Sequence, residues 1–210
     1  MSSPERRSRI IASVGGIPAP TRRELLRRQA WLILAGVAGA LAIFWFEGGL
    51  RSTGRPPSLI AWTSLGTSVF AGVGMWFLFT RRRSGLRRGW ASLALATIVP
   101  AAAFALWRYG LGSLYDLASP WPTRIGYRCF TMSVATGGIL LFAALMAWRR
   151  VDPLTPRATG AAFGAGAGLG SALLIDLWCP VSYLPHLLVG HVLPIAVLAA
   201  AGAAIYKWLA

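Results

Sequence analysis

Six long apolar runs set the limits on what this chain can fold into. They cover approximately residues 30–46, 59–80, 90–107, 130–148, 158–178 and 187–209. A helix needs roughly 20 apolar residues to cross the hydrocarbon of a bilayer. Backbone groups there must be satisfied internally, so only helices or closed barrels can span. Runs this long and continuous are not barrel strands, which are shorter and alternate in polarity. They also lack the charged outer face of a soluble amphipathic helix. The expectation is an all-α membrane protein: a bundle of six transmembrane helices over residues 30–209 with no sizeable soluble domain. Composition agrees, with 56% hydrophobic and 13% charged residues, where a soluble domain carries about a quarter charged. Pro100 and Pro194 fall inside runs, where each removes a backbone hydrogen bond and kinks its helix.

The formal charge of +15 is a topology signal rather than a nucleic-acid footprint, because the arginines cluster at the ends of apolar runs. Arg6, Arg7, Arg9, Arg22, Arg23, Arg27 and Arg28 precede the first run. Arg81, Arg82, Arg83, Arg87 and Arg88 follow the second, Arg149, Arg150 and Arg157 follow the fourth, and Lys207 lies near the end. The alternate loops hold only Arg51, Arg55, Arg108, Arg124 and Arg128. Basic residues mark the cytoplasmic side, so both termini are expected in the cytoplasm, and no direct contact with nucleic acid is expected.

Residues 1–29 form a basic cytoplasmic tail. Thr21 stands at a helix cap with Glu24 at the capping-box position, so a helix is expected to run from Arg22 into the first span. One reading of the tail is an anchor on anionic lipid. Another is a short helix that folds on a cytoplasmic protein, with Ile10, Ile11 and Val14 as apolar anchors beside Arg6, Arg7, Arg22 and Arg23. In the fifth run Gly160, Gly164 and Gly168 repeat at helical spacing, a stripe that lets helix backbones approach closely in lipid. The partner helix could belong to this chain or to a second copy, so a homo-oligomer is allowed.

The outer side carries the chemistry. The chain has two cysteines, Cys129 and Cys179, and two histidines, His186 and His191. Cys129 opens the fourth span and Cys179 closes the fifth, so both fall at the outer face. A disulfide there is geometrically allowed in an oxidising compartment; two buried free thiols are the alternative. Cys179, His186 and His191 could be metal ligands, but residues five apart do not share an α-helix face, and no metal or other cofactor is expected. Asp176, one turn before Cys179, is an intramembrane carboxylate, and its expected partner is Arg128 across the two helices. A rhomboid-type nucleophile has glycine two before and one after the serine, and around Ser171 those places hold Leu169 and Ala172. No nucleotide loop, carboxylate pair or C-x-x-C is present, so the chain is not expected to be an enzyme.

The run from Arg124 to Cys129, the Pro156-to-Gly160 opening of a Gly/Ala-rich span, Cys179-Pro180, and then His186 and His191 resemble the NrsF-type negative regulators of sigma factor. The stretch from Pro18 to Glu24 looks like that of myxobacterial members. The resemblance implies a six-span anti-sigma factor of the bacterial inner membrane. Its tail would hold an extracytoplasmic-function sigma factor and release it on an envelope, redox or light-type signal, with Cys129 and Cys179 as candidate sensor residues. Other readings are a small-solute transporter or channel-like protein, using Thr63, Ser64, Thr67 and Ser68 on one helix face, and a structural subunit of a membrane complex.

Overall fold

The computed structural model describes residues 21–49, 56–80, 90–114, 126–149 and 155–209. Six helices make up almost all of them. They are α1 (Arg22–Phe46), α2 (Pro57–Thr80), α3 (Trp90–Leu114), α4 (Tyr127–Ala147), α5 (Pro156–Trp178) and α6 (Leu184–Leu209). No strand occurs among the described residues. Helices α1, α3, α4, α5 and α6 are each long and apolar enough to cross a membrane, judged by the length and composition of the described residues.

Local chemistry explains the ends. Thr21 and Glu24 form the expected capping box: the Glu24 amide donates to Thr21 Oγ1 at 3.3 Å, and the Thr21 amide donates to Glu24 Oε2 at 2.8 Å. Two backbone donors that the helix start would otherwise leave open are thereby satisfied. Pro156 opens α5, where its missing N–H would have had no helical partner. Helix α3 runs on past the expected end at residue 107 to Leu114, which places Arg108 inside the helix rather than in a loop.

Helix α5 is the axle of the bundle, with 16 of its 23 residues buried. Its glycine stripe is spent inside the chain, against α6. A Cβ on Gly160 would overlap the Gly202 carbonyl, one on Gly164 the Leu198 carbonyl, and one on Gly168 would lie 2.7 Å from the Ile195 Cα. Small residues here allow backbone contact that larger side chains forbid. Helices α2 and α3 meet α5 where Gly74 lies against Leu169 and Pro100. Helix α4 meets α5 and α6 where Gly137 lies against Leu198 and Ser171.

Helix α1 lies on the outside, against α4. Gln29 Nε2 donates to the Ala147 carbonyl at 3.2 Å, and Glu47, just past the other end of α1, accepts from Arg128 at the start of α4. The two helices are therefore antiparallel, and Thr21 and Glu47 mark opposite ends of the bundle. At the Thr21 end, Phe163 stacks on Trp148 and meets Tyr206 edge-to-face, and Tyr206 Oη donates to the Trp148 carbonyl at 2.5 Å. The outside is apolar: Trp31, Leu34, Trp45, Phe46, Leu95, Ile98, Leu106 and Phe142 are all exposed.

Candidate functional site

The Glu47 end of the bundle gathers the chain's four thiol and imidazole groups. Cys129 stands in the first turn of α4. Cys179 caps the C-terminus of α5, its amide donating to the Ile175 carbonyl at 2.8 Å. After it the chain continues without regular secondary structure to Tyr183, and α6 begins. His186 lies in the first turn of α6, and its Nε2 is 3.1 Å from the Cys179 Sγ. His191 lies further along the same helix, its ring 5.8 Å from that of His186. Each of the four residues offers one ligand atom, and these atoms all lie within 4.8 Å of one another. Every one is buried, His191 completely.

Sequence spacing argued against this meeting, and a local change in helix type explains why the argument fails. Residues Leu188–Val192 form a π-turn, and the Leu193 amide donates to the Leu188 carbonyl five residues back. In such a turn the spacing of five, which splays two residues across an α-helix, brings them onto one side. The π-turn is held by close packing on α4. A Cβ on Gly190 would lie 2.9 Å from the Cys129 Cβ, and Ser133 Oγ donates to the Gly190 carbonyl at 3.2 Å. Gly126, before α4, has φ of +96°, a left-handed conformation open to glycine. A Cβ there would lie 3.0 Å from the His186 carbonyl oxygen.

A buried ion pair flanks the cluster. Arg108 and Asp176 are both completely buried, with Arg108 Nε 2.5 Å from Asp176 Oδ1. Arg108 Nη1 donates to Ser182 Oγ at 2.9 Å, and Nη2 donates to the Cys179 carbonyl at 2.7 Å. Thr67 Oγ1 donates to Asp176 Oδ2 at 2.9 Å. The guanidinium thus braces the backbone of a cluster cysteine, and the pair joins α2, α3 and α5. This corrects the expected Asp176–Arg128 pairing. Arg128 points outward, 3.2 Å from Glu47 and over the Trp178 ring.

Arg108, Ser182 and Thr67 were missed as site residues. The sequence did carry a sign for Arg108: apolar residues continue past it through Tyr109 and Leu111, so a charge stood inside a span, where it needs a partner. Of the tail residues, Arg6, Arg7, Ile10, Ile11 and Val14 lie outside the described residues. Arg22 and Arg23 open α1. Of the α2 hydroxyls considered for a pore, Thr63 Oγ1 donates to the Leu59 carbonyl and Ser68 Oγ to that of Ser64, Thr67 Oγ1 faces Asp176, and Ser64 Oγ has no partner among the described residues.

The described residues are thus almost entirely helical, with long apolar helices and a buried thiol–imidazole cluster at one end. The family model "NrsF: Negative regulator of sigma F" matches residues 16–210, and the chain belongs to that family. No curated protein and no solved structure matches.

Proposed function

We propose that this chain is a membrane-embedded anti-sigma factor with its input and output at opposite ends of the bundle. Residues 1–29 hold an extracytoplasmic-function sigma factor on the cytoplasmic side. The cluster of Cys129, Cys179, His186 and His191 takes the signal at the outer face. One observation carries the reading: the cluster lies at the Glu47 end of α1, and the tail enters at the Thr21 end. Helix α1 has 25 residues, which at about 1.5 Å per residue separates the two ends by roughly 37 Å. The arginine distribution supports the orientation, and the apolar outside supports the lipid surroundings. The hydroxyls of α2 are spent largely inside the fold, so they do not favour the transporter reading.

The test is co-purification of the partner sigma factor from membranes containing the full chain or the chain lacking residues 1–20. Retention by the full chain and loss with the deletion is the expected result. Equal retention by both would remove the tail from the account.

A further inference from the structure

We infer that Cys129, Cys179, His186 and His191 form a four-coordinate binding site for a thiophilic divalent cation of the zinc type. The regulatory meaning of such a site rests on the reading above; the binding itself does not.

Three observations converge. The first is the donor set. Two sulfurs and two imidazole nitrogens are the ligands of tetrahedral zinc sites. Metal–sulfur bonds of about 2.3 Å and metal–nitrogen bonds of about 2.0 Å put tetrahedral donors roughly 3.3–3.8 Å apart. The four ligand atoms already lie within 4.8 Å of one another, and Cys179 Sγ and His186 Nε2 are 3.1 Å apart. Closure on an ion therefore takes movements on the order of 1 Å.

The second is His191. Its side chain is completely buried, and neither ring nitrogen has a hydrogen-bond partner among the described residues. A buried imidazole without a partner is unfavourable, and a metal ion is a partner that would relieve it. His191 is also the residue that the π-turn delivers to the cluster, and π-turns recur at functional sites.

The third is charge. A divalent ion displaces one proton from each thiol, and the two thiolates then cancel its charge. The adduct is neutral, as a dry site requires. The nearby Arg108 is already matched by Asp176, so it contributes no spare cation. A monovalent ion on the same thiolates would leave a net negative charge in the same dry place. Neutral thiolate ligation of a divalent ion thus fits this environment better. No electrons move, and the two protons leave to solvent.

The experiment uses the full chain purified in detergent, with cobalt(II) as the spectroscopic probe and zinc(II) as competitor. The expected result is one cobalt ion per chain, with thiolate-to-metal charge-transfer and tetrahedral visible bands that zinc abolishes. One proton is released per thiol. H191Q is expected to lose stoichiometric binding while its helical content is unchanged. On the unaltered chain, zinc is expected to slow alkylation of both cysteines at least about tenfold, as the ligating thiolates become shielded, and a chelator is expected to reverse this. Binding of cobalt without sulfur bands, an unaltered response in H191Q, or alkylation indifferent to zinc would each overturn the inference. So would a Cys129–Cys179 disulfide in protein isolated with its thiols blocked from the start.

Discussion

Asp176 and Arg108 are both completely buried, so each depends on the other to hold a charge there. Removing one partner of such a pair strands the other and is typically worth about 3–5 kcal/mol of stability. Asp176→Ala is therefore expected to lower stability by that order in a detergent unfolding titration. The double replacement of Asp176 and Arg108 by Leu and Met is expected to recover a large part of the loss. Arg128→Ala makes the contrast. Its bridge to Glu47 is exposed, and such pairs contribute about 0.2–1 kcal/mol, so its midpoint should stay close to that of the unaltered chain. If Arg128→Ala proved the more damaging, the assignment of the buried pair would be wrong. The candidate residues Cys129, Cys179, His186 and His191 were legible in the sequence, because a chain with two of each places them conspicuously. Their meeting was not, because sequence spacing was read on an α-helix. Nor was the pairing of Arg108: the apolar residues after it put the charge inside a helix, but only the fold brings Asp176 to face it.

Helices were the most legible level. Long apolar runs leave a backbone little choice in lipid, and Thr21 with Glu24 marks the start of α1 through two local hydrogen bonds. The glycine stripe of α5 was readable as a packing surface; that its partner is α6 of the same chain follows from long-range contacts no local pattern encodes. Gly164 lies against the Leu198 carbonyl, so Gly164→Ala must push α5 and α6 apart. A destabilisation of about 1–3 kcal/mol is expected from such overpacking. Gly138 has nothing near its missing Cβ. Gly138→Ala is expected to be neutral or to stabilise by up to about 1 kcal/mol, through lower unfolded-chain entropy. Thermal unfolding of the two variants side by side checks the pair. The π-turn in α6 is the element the sequence did not announce. It exists because Gly190 seats against Cys129 and Ser133 takes the Gly190 carbonyl. Gly190→Ala should therefore disturb the cluster, read as faster alkylation of Cys129 and Cys179, while leaving total helical content close to normal. Unchanged alkylation would show that the π-turn does not position the thiols.

At the scale of the whole molecule, six helices take up almost all of the described residues. A buried thiol–imidazole cluster lies at the Glu47 end, α5 runs through the bundle, and in the reading proposed above the basic tail acts from the Thr21 end. Helix α5 carries Cys179 at its cluster end and packs along α6; in the proposed reading a change at the thiols passes along this contact. The central claim is that the cluster governs what the tail holds. Its most direct test is retention of the partner sigma factor on membrane vesicles containing the full chain, measured before and after zinc(II) or a thiol-modifying reagent reaches the cluster face. The account predicts release from the unaltered chain and continued retention by the C129S/C179S double variant under the same treatment. Release that proceeds equally well without the two cysteines would contradict it.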